Sequence, residues 1–275
     1  MLILLFGLIT GLSLGLTGAG GSILAVPLLV FGLGLAPHEA VRVSLLVVAL
    51  TALLGAVTAW RQQVVSLKAG LVFAATGMLF APLGVMVGKH IDGQALLLAF
   101  AVLTVFVSVS MWHRASHSPE ETRVVRSNLG AGLASDPVCR LSESGRLRLN
   151  APCAGMLALC GVLVGVLSGL FGVGGGFLIV PILMFVTQMK VHGAVGTSLL
   201  VIALVGGAGA LMGVSQGGLN WQLVGLFLAG GAVGMLLGRF GAGRLAGPQL
   251  QKVFAAAVFL IGVSMLMQQV AGIES

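Results

Sequence analysis

A chain of 275 residues with 58% apolar residues, 8% charged residues and a mean hydropathy of +1.13 is excluded from the soluble globular class, in which about 25% of residues are charged. Its formal charge of +7 is carried by Lys and Arg set between apolar runs, so it reads as a membrane-topology signal and not as a nucleic-acid surface. Cys139, Cys153 and Cys160, with no CxxC and no histidine cluster beside them, support neither a disulfide framework nor a zinc site.

In chain order, apolar segments are predicted at 2–17, 22–35, 38–60, 69–88 and 94–112, and again at 152–171, 176–188, 192–214, 221–238 and 250–270. The N-terminal run resembles a signal-peptide core but lacks a basic n-region. Its counterpart lies in mid-chain, so it is expected to belong to the mature fold. The last three segments of each five approach the roughly 20 residues that a helix needs to cross a bilayer. The leading two are shorter: at 1.5 Å per residue, 2–17 covers about 24 Å and 22–35 about 21 Å. Between the fives lies a polar stretch with mixed charge, Ser, Gly and Pro. The expected organisation is a first transmembrane repeat at 1–112, a linker at 113–151 and a second repeat at 152–275.

The two fives are copies. Gly11 to Pro27 reads GLSLGLTGAGGSILAVP, and Gly165 to Pro181, 154 positions later, reads GVLSGLFGVGGGFLIVP. Each glycine costs a helix interior roughly 1 kcal/mol relative to alanine, so the clusters Gly18, Gly20, Gly21 and Gly172, Gly174, Gly175, Gly176 predict helix breaks. Backbone groups freed there are tolerated at membrane depth only when buried in protein or lining a polar cavity, so the clusters nominate a site. Gly11, Gly15, Gly165 and Gly169 read as close-packing positions.

If each broken segment crosses once, the basic residues divide eight to six between the two sides. If each turns back as a hairpin, spanning fully or re-entrant, they divide twelve to two, leaving Arg42 and Lys89 alone on one side. The second division is what the positive-inside rule expects. The expectation is an all-α polytopic membrane protein of two inverted repeats, each a glycine-broken hairpin followed by three transmembrane helices. The central loop would then be cytoplasmic and both termini outside. Many secondary transporters place a midplane site between broken helices in this way.

A helix starting after each glycine cluster would aim unpaired N–H groups and the positive end of its dipole at the break. Two such ends converging from opposite sides could cradle an anion. Thr17 and Ser22 could add hydroxyls in the first copy, and Ser44, Thr197 and Ser198 could do so from the next helix of each half. Such hydroxyls also commonly bond within their own helix or to a neighbouring one. His38 and His192 fall near helix starts. Arg42 either draws anions to one mouth or snorkels to the interface. All seven acidic residues fall in predicted loops or at segment ends. A cation substrate, which usually calls for an intramembrane carboxylate, is thereby disfavoured. No Ser/His/Asp constellation, HExxH or cofactor motif is visible, so neither an enzyme, a metal nor a cofactor is expected. The expected partners are a small anion and the lipid bilayer.

At these residues the chain resembles the TauE/SafE family, also called the sulfite exporter or TSUP family. The likeness covers both glycine hairpins ending in Val26-Pro27 and Val180-Pro181, and both downstream Ala-Val-x-x-Ser-Leu stretches. It extends to the G-x-x-x-G pairs Gly84/Gly88 and Gly234/Gly238. The resemblance implies transport of sulfite, sulfonates, sulfoacetate or thiosulfate across the bacterial inner membrane; the same dipoles would also suit small organic carboxylates, and a membrane assembly factor would need the glycines only for packing. The first copy departs from the pattern, with Ser22 in place of a glycine and Arg42-Val43 where a small residue and Thr are usual.

Overall fold

The computed structural model describes residues 1–18, 21–62, 65–117, 151–187, 191–215, 217–245, 255–256 and 258–267. They form α1 (Leu2–Thr17), α2 (Gly21–Leu33), α3 (Pro37–Arg61), α4 (Leu67–His90), α5 (Gly93–His117), α6 (Ala151–Phe171), α7 (Gly176–Thr187), α8 (Val191–Val214), α9 (Trp221–Leu245) and α10 (Val258–Met267). There is no strand among the described residues. Helix is the form expected of so apolar a chain, because in hydrocarbon each backbone N–H and C=O must find its partner within the segment.

Six helices, α3, α4, α5, α6, α8 and α9, are long and apolar enough to cross a membrane. The limits of α1 to α9 agree with those read from sequence within a few residues except at the ends of α9 and α5, and one length reading is corrected. α6 has 21 residues, about 31 Å, so the leading segment of the second copy is of spanning length and not short. α9 continues past residue 238 through Arg239 to Leu245, where a long cationic side chain can reach out of the apolar layer. α5 runs on to His117, into the predicted linker, whose remainder to residue 150 lies outside the described residues. Cys153, at the start of α6, is disulfide-bonded, a pairing that the cysteine spacing did not announce.

α3 and α8 are the most buried of the six spanning helices and cross one another at the centre. Arg42 lies against Gly213, Ala49 against Gly206 and Gly55 against Leu199, so their numbering runs in opposite senses. α9 runs with α3, as Thr51 meets Gly231 and Gly55 meets Met235, and α1 runs with α9, as Gly11 meets Gly231 and Gly15 meets Met235. On the other side α4 runs with α8, from Gly70 beside Thr197 to Gly77 beside Val205, and α6 runs with α4, from Gly161 beside Phe73 to Gly169 beside Ala81. Thus α1, α3 and α9 point one way, and α4, α6 and α8 point the other.

The tightest contacts are backbone to backbone. A Cβ on Gly11 would stand 2.0 Å from the Gly231 carbonyl oxygen, and one on Gly169 would stand 2.0 Å from that of Ala81. A Cβ on Gly84 would lie 2.2 Å from the Val166 carbonyl oxygen and one on Gly234 2.2 Å from that of Leu8. Lipid tails are as apolar as the side chains, so helix association here relies on close packing, which small residues permit.

Candidate functional site

α1 ends at Gly18 and α6 at Gly172, with φ of 70° and 72°, a left-handed conformation that glycine adopts without steric cost. Each closes its helix in the same way: the Gly18 N–H donates to the Leu14 carbonyl (2.8 Å) and the Gly172 N–H to that of Ser168 (3.0 Å). Gly174 and Gly175 follow, both at φ 66°. The chain then reverses. Gly21, at the start of α2, packs on Thr10 and Leu14, and Gly32 packs on the Phe6 ring, so α2 returns antiparallel to α1. Gly175 likewise packs back on Val164 and Ser168.

The reversals place two helix starts inside the protein. α2 begins level with Thr10 in the middle of α1, a level shared by Gly231 of α9 and Thr51 of α3. Just ahead of α7, Gly174 sits between Val48 of α3 and Ile202 of α8, near the centre of both helices. With 13 and 12 residues, α2 and α7 cover about 20 and 18 Å, less than the roughly 30 Å apolar core. Each is a half-length helix with its N-terminal end at mid-depth, where the dipole presents partial positive charge. The N–H groups of Val173, Gly174 and Gly175 make no backbone hydrogen bond among the described residues. Within α2, Pro27 supplies no N–H, so the carbonyl four residues back at Ile23 loses its helical donor.

Two serines hold the turns. Ser44 Oγ on α3 donates to the Gly172 carbonyl at 2.7 Å, and Ser198 Oγ on α8 donates to the Gly18 carbonyl at 3.0 Å while also lying 2.8 Å from the Val195 carbonyl. Ser44 and Ser198 are the same position in the two copies, as are Gly18 and Gly172. Each half therefore clamps the glycine turn of the other. All four residues are buried, where an unmet carbonyl would cost about 1–3 kcal/mol.

The remaining candidates take different places. Thr197 is buried and accepts a hydrogen bond from the Ser66 N–H (3.0 Å), capping the start of α4. Thr17 Oγ1 donates to the Ser13 carbonyl of its own helix (2.7 Å). Ser22 is fully buried in the first turn of α2, and Gly176 opens α7. Gly20 lies outside the described residues. Arg42 donates to the Gly217 carbonyl in the α8–α9 connection (2.8 Å), and the exposed His38 begins α3. Among the described residues the acidic side chains are Glu39, in the first turn of α3, and Asp92, which accepts from the Gln94 N–H at the start of α5. No group of residues fit to hold a metal ion occurs among the described residues.

Three hydroxyls beside the half-helix starts were not singled out by sequence. Thr10 and Thr51 line a cavity of about 10 Å³ with Gly21, Val48 and Gly231, at the lower limit for one water. Their hydroxyls donate to the Phe6 and Val47 carbonyls of their own helices, and the cavity wall is apolar. Ser168, beside Gly175, is fully buried and its Oγ has no hydrogen-bond partner. Their copies are Val164, Val205 and Leu14 respectively. A polar residue in one copy facing an apolar residue in the other is a signal that sequence comparison of the halves could have used.

The family described as "Sulfite exporter TauE/SafE" matches residues 3–265. A "Probable membrane transporter protein" of Xylella fastidiosa is 33% identical over 263 residues, covering 94% of this chain and 91% of that one. "Probable membrane transporter protein YjnA" of Bacillus subtilis is 28% identical over 274 residues, covering 96% and 98%. No solved structure matches the chain.

Proposed function

The chain belongs to the sulfite exporter TauE/SafE family, which makes it a multi-pass membrane transporter. From that premise we propose that it moves a small sulfur-containing oxyanion of the sulfite, sulfonate, sulfoacetate or thiosulfate type outward across the bacterial inner membrane. The anion sits between the starts of α2 and α7. The observation that carries this reading is the pair of half-length helices whose N-termini lie at mid-depth among buried glycines and hydroxyls, with no carboxylate beside them among the described residues. Backbone dipoles and N–H groups in a low-dielectric interior favour negative charge, and a nearby carboxylate would oppose it.

In this reading the amides of Gly21 and Ser22 and those around Gly174, Gly175 and Gly176 face the anion from two sides. Gly18 and Gly172 form the turns that Ser198 and Ser44 hold, Thr197 steadies α4 beside them, and Thr17 lies at the end of α1. The opposed directions of α1 and α6, of α3 and α8, and of α4 and α9 support two inverted repeats. Breaking one serine clamp while keeping the other would open the site to one face at a time, which is the rocking of repeat against repeat that alternating access requires. Arg61, Lys68, Arg239 and Arg244 lie at one end of the helices and Arg42 and Lys89 at the other, which supports a cytoplasmic central loop and outside termini. With the inside negative, outward movement of one negative charge gains about 2.3 kcal/mol per 100 mV, so export needs no coupling ion.

The test is flux of sulfite, thiosulfate, sulfoacetate and lactate from proteoliposomes holding the full chain. Movement of at least one sulfur anion above protein-free vesicles is expected. Lactate movement alone would instead make the protein a carrier of organic carboxylates, and no movement would leave the glycine turns as packing devices. Single cysteines placed at the C-terminus and in the central loop are expected to react with an impermeant maleimide from opposite sides; reaction from the same side refutes the orientation.

A further inference from the structure

We infer that Ser168 is a substrate-contacting residue, its hydroxyl donating a hydrogen bond to an oxygen of the anion seated at the start of α7. The inference rests on the anion reading above and adds to it a named side-chain donor. Other buried hydroxyls among the described residues have partners: Thr51 donates to the Val47 carbonyl, Thr104 to Ala101 and Thr187 to Leu183, and Thr197 accepts from the Ser66 N–H. Ser168 is fully buried and its hydroxyl bonds to nothing, although its helix offers the Val164 carbonyl four residues back. Burying an unpaired donor is a standing cost, and such groups are rare in folded proteins.

The orphan lies where a ligand would meet it. Its carbonyl caps the Gly172 turn (3.0 Å), and its Cβ would be 3.5 Å from a Cβ built on Gly175. Ser168 therefore packs against the residue just before α7, in the turn where the N–H groups of Val173, Gly174 and Gly175 have no backbone acceptor among the described residues. Gly175 brings no side chain of its own, and Val164 packs against the same face, its Cγ1 2.3 Å from where a Cβ on Gly175 would stand. The hydroxyl and the amides together form a donor cluster for an oxyanion such as a sulfonate group. In the first copy the equivalent residue is Leu14, so the seat is lopsided: the side-chain donor comes from α6 alone.

The test uses the full chain in proteoliposomes and in detergent, with sulfite, thiosulfate, sulfoacetate and lactate as probes. Ser168→Ala is expected to raise KM about tenfold for whichever sulfur anion the wild type moves, the effect of losing one hydrogen bond to a charged group. It should also remove most of the Tm increase which that anion gives. The ligand-free Tm should stay level or rise, because an unpaired buried hydroxyl is lost. An unchanged KM and an unchanged anion-induced Tm increase would overturn the inference and leave the transport reading standing. So would a fall in ligand-free Tm without a change in KM, since the hydroxyl would then be structural. Wild type that moves only lactate overturns the substrate class, and the lactate KM of Ser168→Ala then decides the role of Ser168. Wild type that moves none of the four overturns both.

Discussion

At Gly18 and at Gly172 the two copies do the same thing. Each helix ends in a left-handed glycine, and each glycine carbonyl is taken by a serine from the opposite half. Beside the half-helix starts the copies part. The first has Thr10, Leu14 and Thr51, where the second has Val164, Ser168 and Val205. The frame is thus two-fold and its lining is not, as expected when one anion of lower symmetry occupies a site between related halves. Backbone geometry is kept in both copies because either turn alone leaves freed N–H groups in the apolar layer. In the transport reading proposed above, side chains are free to differ because each would meet the guest from its own direction.

That comparison can be broken hardest at the turns. Gly175→Leu would place a Cβ 2.3 Å from Val164 Cγ1 on a residue with φ of 66°, and flux is expected to fall more than about 100-fold. Gly225→Leu, where nothing lies within 4 Å, should leave flux unchanged. If both retain flux in proteoliposomes, the turn is not part of the path.

The clamps come next. Ser44→Ala and Ser198→Ala each leave a buried glycine carbonyl without its donor, and each is expected to cost about 1 kcal/mol, read as a lower Tm in detergent. Ser198 also lies close to the Val195 carbonyl, so the Ser44 change should be the larger. The double variant should equal the sum within about 0.5 kcal/mol if the clamps act independently. A larger departure would tie the two faces into one equilibrium, sharpening the alternating-access reading.

The smallest effect is expected from making the linings alike. Thr10→Val and Thr51→Val copy the second half into the first and preserve volume. Each hydroxyl is bonded to its own helix, so Tm should move by the equivalent of about 1 kcal/mol or less. A twofold to tenfold change in KM without that Tm loss would show that the bound species reaches these hydroxyls; no change in either would confine the chemistry to the α7 side.

Much of the frame was legible because it rests on residue types with few alternatives. Four glycines within five residues, Gly172 to Gly176, have one outcome in a helix, and the duplication located the second break at Gly18. The serines were legible as a duplicated pair but not as clamps. Nothing in their spacing tells whether a hydroxyl donates to an anion or to a carbonyl on a helix 128 or 180 positions away. Thr10 and Thr51 were passed over because each sits inside an apolar run with no motif around it; Ser168 lies inside the duplicated glycine stretch, but its copy is Leu14, so the duplication did not mark it.

By itself the sequence determined the solvent, the segments and the places where helices stop: composition excludes water as the surroundings, and glycine clusters open a helix wherever they fall. Only the tertiary structure decided which faces meet. In a soluble helix an apolar stripe points to the core; here lipid and core are both apolar, so α1 carries no stripe announcing α9, nor α6 one announcing α4. Their pairing follows from where glycine backbones can approach to contact. The reversal between α6 and α7 put an unpaired serine hydroxyl beside the start of a half-length helix.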